Sequence, residues 1–266
     1  MRKTLIIPVL IAVMSLFVLT SCSPTDPVAE YNAALELIEQ KDYPAALERA
    51  KKCVRMNRED VDAIKLQTLC AFSYDSESAE RDSALQNLRR MVKNKAKEDY
   101  QAYFFLGWAY FQMYSYSEAQ EYLTEAYKLM PKESMANSKT YHNLLYMIGI
   151  CCVNNNLPQG LEYLRPLEKI SPFKEWPEYY MNYAMLAYRL KRYNEAISWF
   201  GKAQKLDPTQ PQPYLNIAVI YDTNYGATKY AKLWYTNALV RYQKQGNTLF
   251  VKKIQARLSA LVRKNR

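Results

Sequence analysis

The chain has 266 residues, of which 49% are hydrophobic and 23% charged, with 24 Tyr but only 6 Gly and 12 Pro. So few turn residues exclude a many-stranded β-protein of this length and any collagen-like or low-complexity class, and the apolar content excludes disorder. A mostly helical globular chain remains, with a formal net charge of +10 that leaves anionic partners open.

Arg2 and Lys3 precede an uncharged apolar run, Leu5 to Leu19, short of the roughly twenty residues that a membrane-spanning helix needs. The run ends Leu19-Thr20-Ser21-Cys22. This resembles the lipobox of bacterial lipoproteins: a large apolar residue, two small residues and a cysteine. The resemblance implies removal of residues 1–21 as a signal peptide, a diacylglycerol on the Cys22 sulfur and an acyl group, such as palmitate, on the new amino terminus. The alternative is an uncleaved N-terminal anchor. Residues 22–27 then read as the lipidated cysteine and a short stiff tether, Ser23-Pro24-Thr25-Asp26-Pro27. Ser23 resembles the default for outer-membrane sorting where two membranes exist. The expected location is therefore the bacterial cell envelope, on the periplasmic face of the outer membrane in such a cell.

Residues 28–245 repeat. A small residue followed by packing positions four and seven residues later recurs at Ala46/Ala50/Cys53, Ala84/Leu88/Met91, Ala119/Leu123/Ala126, Gly160/Leu164/Leu167, Ala196/Phe200/Ala203 and Ala231/Tyr235/Ala238. The spacing is that of one helix face. The first members lie 38, 35, 41, 36 and 35 residues apart, and Pro131, Pro172 and Pro208 each fall twelve residues past Ala119, Gly160 and Ala196. The third unit, with Leu106-Gly107, Tyr110, Tyr116, Ala119, Leu123, Ala126 and Pro131, looks like a tetratricopeptide repeat, a helix–turn–helix of 34 residues. The fifth repeats the pattern with Ala184, Tyr193, Ala196, Phe200, Ala203 and Pro208; the sixth has about one extra residue between its helices. The first unit has Arg58 in place of the closing proline. The second carries an acidic insertion around Asp75 to Glu80, and the fourth has Pro158 where an aromatic is usual.

The resemblance implies an all-α, right-handed α-solenoid of about six helix pairs. Small residues such as Gly107 and Ala119 would sit where paired helices approach closely, and the prolines where the second helix stops. Residues 246–266 form the expected capping helix: Gly246-Asn247 reads as a break and N-cap, followed by an apolar stripe of Phe250, Ile254, Leu258 and Leu261.

Chemistry-bearing motifs are absent. His142 stands alone, without Cys, Asp or Glu at ligand spacing, and no phosphate loop, nucleophile elbow or zinc-protease motif occurs. Neither an enzyme nor a cofactor is expected. Cys53, Cys70, Cys151 and Cys152 read as buried small hydrophobes, with a Cys53–Cys70 disulfide as the alternative, since those two fall on consecutive helices.

Two surfaces could bind. By resemblance to how these repeats bind, the first helices line a groove: Phe104, Trp108 and Phe111 from the third unit, Leu145 or Tyr146 from the fourth, Met181, Met185 and Tyr188 from the fifth, Leu215 and Val219 from the sixth. Such a groove suits an extended or helical peptide. Asn182 and Asn216 suit one position of the carboxylate clamp of chaperone-binding members, but the accompanying lysines are missing. The second surface is basic. From Thr223 to Arg266 there are ten Lys or Arg and no acid, among them Lys252, Lys253, Arg257, Arg263, Lys264 and Arg266 on the capping segment. The function expected is a membrane-anchored lipoprotein adaptor that holds a partner protein or peptide. It resembles tetratricopeptide lipoproteins that assist outer-membrane protein assembly, pilus secretin assembly or cell-wall enzyme control. The alternative is a protein that binds polyanions or anionic lipid through its basic end.

Overall fold

The computed structural model describes residues 26–74, 76–135 and 138–263. The signal peptide, Cys22, Lys264 and Arg266 lie outside the described residues. The chain forms two compact units, Met1–Cys151 and Cys152–Arg266. Among the described residues every regular element is helical, and each unit is a stack of helix hairpins of the α-solenoid kind.

The N-terminal unit contains α1 (Pro27–Glu39), α2 (Tyr43–Met56), α3 (Val61–Ser73), α4 (Ser78–Asn94), α5 (Tyr100–Gln112) and α6 (Tyr116–Leu129); α7 (Lys139–Asn155) crosses into the next unit. Helix α1 starts inside the expected tether. Pro27 occupies its first turn, where no N–H is needed, and the Asp26 carboxylate accepts from Val28 N at 3.0 Å. Asp42, Asp60 and Asp99 cap α2, α3 and α5 in the same way. Helix α1 packs on α2, α3 on α4 and α5 on α6, and α3 also packs on α5. Gly107 marks a close approach of α5 and α6, where an added Cβ would lie 2.6 Å from Leu123 Cγ and 2.9 Å from its backbone nitrogen. The acidic insertion is absorbed without a long loop. Ser76 is buried and donates to the Ala71 carbonyl at 2.6 Å, and α4 begins two residues later.

The C-terminal unit contains α8 (Gly160–Leu164), α9 (Pro177–Arg189), α10 (Tyr193–Leu206), α11 (Gln212–Val219), α12 (Thr228–Lys244) and α13 (Thr248–Arg263). Helix α8 is far shorter than its counterparts. Pro166 turns its continuation into a tight 3-10 segment, Arg165–Lys169, because proline lacks the N–H that the helix ladder requires. The Tyr179 hydroxyl donates to the Leu164 carbonyl at the break, at 2.8 Å. The extra residue of the sixth unit also has a definite place. It widens the end of α11 into a π-turn, Ile220–Asn224, in which Tyr225 N donates to the Ile220 carbonyl. Asn247 caps α13 through Phe250 N, as its type suggests.

One turn closes α1–α2, α5–α6 and α9–α10. Lys41, Tyr114 and Lys191 take φ of 63°, 62° and 60°, and the following N–H reaches five residues back to Leu37, Tyr110 and Ala187. These are Schellman motifs with non-glycine residues in the left-handed position. The second helices end two residues before Pro131 and Pro208. Helix α2 ends the same way before Arg58: Asn57 Oδ1 accepts from Glu59 N, as Asp207 Oδ1 accepts from Thr209 N. The same side-chain turn therefore follows the second helix with or without a proline.

Candidate functional site

The groove residues expected from the sequence divide by unit. In the N-terminal unit Phe104 and Trp108 are 1% exposed each. Phe105 meets both edge-on at 5.9 and 6.4 Å, and Phe72 meets Trp108 at 6.1 Å. Both are core residues, which corrects their assignment to an open surface. The reason is that α3 and α5 have no outward face over 63–72 and 104–110, where every residue is buried. Phe111 is half-buried beside Tyr116. Leu145 is buried and Tyr146 half-buried.

In the C-terminal unit Met181, Met185 and Tyr188 of α9 are half-buried over a core of Ala184, Ala187, Ala196 and Phe200. Leu215 and Val219 of α11 are half-buried over Tyr214 and Ala218. Asn216 links the two helices, its amide donating to Met185 Sδ at 3.7 Å while its oxygen accepts from Gln212 at 3.1 Å. The result is an apolar, Met-containing strip formed by two adjacent first helices.

Two segments match family models for the tetratricopeptide repeat, residues 94–133 and 177–210. The chain contains tetratricopeptide repeats. Both are the units whose residues carried the resemblance most fully. A curated relative, a DnaJ homolog subfamily C member 7 homolog from Dictyostelium discoideum, is 25% identical over 192 residues. That match covers 72% of this chain, which spans only 30% of the relative's length. Among solved structures, the C-terminal part of a repeat-containing protein from Cytophaga hutchinsonii superposes with a TM-score of 0.65, 19% identity and 89% of each chain covered. YrrB, described as a repeat protein with an unusual peptide-binding site, superposes with 0.60, 20% identity, 78% of this chain and 99% of its own. These likenesses show the repeat fold.

The basic end is less open than its composition implied. Arg257 is engaged: its guanidinium donates twice to Asp222, at 2.6 and 2.7 Å, and the Asp222 side chain is 4% exposed. That removes Arg257 from the expected patch. Lys252, Lys253 and Arg263 stand exposed on α13.

The remaining candidates take structural positions. Cys53 and Cys70 are separate buried thiols, so the disulfide alternative is not formed. Burial pushes the Cys53 thiol up to about 11 and Cys70 up to about 12. His142 is half-buried, and burial lowers its pKa below 6.5.

Sequence reading missed Lys65, a buried cation within α3. Its ammonium lies 2.6 Å from Asp62, 3.2 Å from Asp99 and 3.0 Å from Gln101 Oε1. Because Asp99 also caps α5, one carboxylate joins two helices of successive repeats. The signal was present, since a lysine stands amid an otherwise apolar helical run with Asp62 at i,i+3 spacing, but nothing local identifies its second partner, Asp99.

Proposed function

We propose that this chain is a lipid-anchored scaffold of a bacterial cell envelope whose repeats hold a partner protein or peptide. Interaction through helical repeats is what the fold provides. The anchor and the envelope location rest on the lipobox-like Leu19-Thr20-Ser21-Cys22. The observation that carries the binding half is the strip of Met181, Met185, Tyr188, Leu215 and Val219, half-buried on two neighbouring first helices. Unbranched Met side chains adapt to different apolar partners, and an amphipathic or extended segment laid along such a strip completes its burial. The peptide-binding site attributed to YrrB supports the same use of this fold.

The test is site-specific photo-crosslinking in native envelopes, with the crosslinking residue at Met185 or, as control, at the exposed Lys205. A discrete product from Met185, missing from Lys205 and abolished by Leu215→Glu with Val219→Glu in a folded chain, is expected. Equal products at both sites would defeat the binding half. For the anchor, Cys22→Ser should block acyl labelling and processing; normal processing of that variant would defeat it.

A further inference from the structure

Helix α12 has a face that the described residues leave largely uncovered, Tyr230 stacking on Tyr221 at 5.3 Å. Tyr230, Leu233 and Val240 are 55%, 57% and 43% exposed, and their spacing of three and seven places them on one side of the helix. The opposite side, Ala231, Tyr235, Ala238 and Tyr242, supplies the core. Isolated exposed apolar residues need no explanation, but a one-sided row of large ones does. Lys229 and Lys244 flank the row at either end, and neither has an ion-pair partner among the described residues. Neither α12 nor α13 contains an acidic residue, and residues 152–266 hold 18 Lys or Arg against 7 Asp or Glu, a net +11.

The row ends in a hollow of about 440 Å³ lined by Pro208, Thr209, Val240, Arg241, Lys244 and Gln245. Arg241 is held there over the Tyr214 ring, 3.6 Å from its centroid, with Nε donating to the Pro208 carbonyl at 2.7 Å. The carboxylate of neighbouring Asp207 is turned onto Thr209. With the Thr209 donors taken by Asp207, the hollow offers the Arg241 and Lys244 cations and the Gln245 amide beside an apolar wall. That combination fits a phosphate headgroup with its first methylenes.

We propose that this face of α12 is a contact surface for an anionic lipid bilayer, with Tyr230, Leu233 and Val240 entering the interface and Lys229, Arg241 and Lys244 meeting headgroup phosphates. Lysine is depleted from protein–protein interfaces but is the usual residue of polybasic lipid contacts, and tyrosine concentrates at the membrane–water boundary. A row of protruding side chains also needs no shape-matched partner when the partner is a fluid bilayer. The surface differs from the α13 patch expected from the sequence. It requires no lipid on Cys22, so it and the anchor can fail independently.

The experiment uses the full chain carrying Cys22→Ser and Leu233→Cys, labelled at position 233 with an environment-sensitive dye; Cys53, Cys70, Cys151 and Cys152 are buried. Vesicles of phosphatidylcholine alone are compared with vesicles containing about 30% phosphatidylglycerol, at low and high salt. Blue-shifted emission with the anionic vesicles, reversed by salt and weakened roughly twentyfold by Lys229→Gln with Lys244→Gln, is the expected result. No shift at position 233 overturns the proposal, even if the chain floats with vesicles through Leu5 to Leu19. An equal shift with both vesicle types overturns the headgroup role. A shift with an acidic polypeptide but not with vesicles overturns it in favour of a protein partner.

Discussion

The Arg257 guanidinium on α13 grips the Asp222 carboxylate in the π-turn after α11 through two hydrogen bonds, 2.6 and 2.7 Å long, and Tyr235 of α12 donates to the same carboxylate at 3.0 Å. Three elements of the C-terminal unit therefore meet on one acid, the last in the chain. A buried carboxylate that loses its cation keeps its desolvation cost. Arg257→Ala should lower stability by about 1–3 kcal/mol, loosening α13 first. Hydrogen exchange localised to 248–263 checks this; uniform protection in the variant would contradict it.

Two glycines predict opposite outcomes. Gly107→Ala places a methyl against Leu123 side chain and backbone at 2.6–2.9 Å, and should cost about 1–3 kcal/mol as the α5–α6 hairpin is forced apart. Gly201, within α10, has nothing within 4 Å of an added Cβ. Gly201→Ala should stabilise by roughly 0.5–1 kcal/mol through helix propensity alone. Denaturant midpoints of the two variants measure both.

Lys191 closes α9–α10 at a φ of 60°, a conformation that disfavours any residue with a Cβ. Lys191→Gly should raise stability by about 0.5–1 kcal/mol, whereas Lys191→Val should lower it. Thermal unfolding of the pair, with glycine above wild type and valine below, is the expected order.

Glu30 is buried in α1 and accepts from Arg49 at 2.9 Å, with Lys52 at 3.5 Å. The Arg49 hydrogen bond, opposed by burial and helped by the charges of Arg49 and Lys52, holds its carboxyl below the ordinary 4.5. A depressed carboxylate contributes stability that is complete above the unfolded value and disappears as pH falls through the lower folded one. Stability of the N-terminal unit should therefore fall as pH drops below 4.5, and Glu30→Gln should flatten that part of the curve. An unchanged acid limb in the variant would remove Glu30 as the source.

The repeats were legible because their cause is local. Ala119, Ala126, Gly107 and the prolines at constant offset carry the small–large spacing and the stop signal within one hairpin, and α5–α6 and α9–α10 appear where that spacing placed them. Irregular places were legible as departures but not in form. The extra residue of the sixth unit became a π-turn, and the fourth unit's second helix breaks at Pro166.

The sequence by itself determined the regular hairpins and the turns that close them, because caps, periodicity and helix breakers act over fewer than about ten residues. Tertiary structure alone decided which apolar face is covered. Trp108 and Leu233 both stand on helices as large apolar residues, yet one is buried and the other exposed. It also decided which charges are spent, since Arg257 finds Asp222 across 35 residues and Lys65 finds Asp99 across 34. Spacing within one helix encodes i,i+3 pairs such as Lys65–Asp62, but pairs between helices, and burial on both sides of a helix, depend on neighbours that only the stacked repeats bring together.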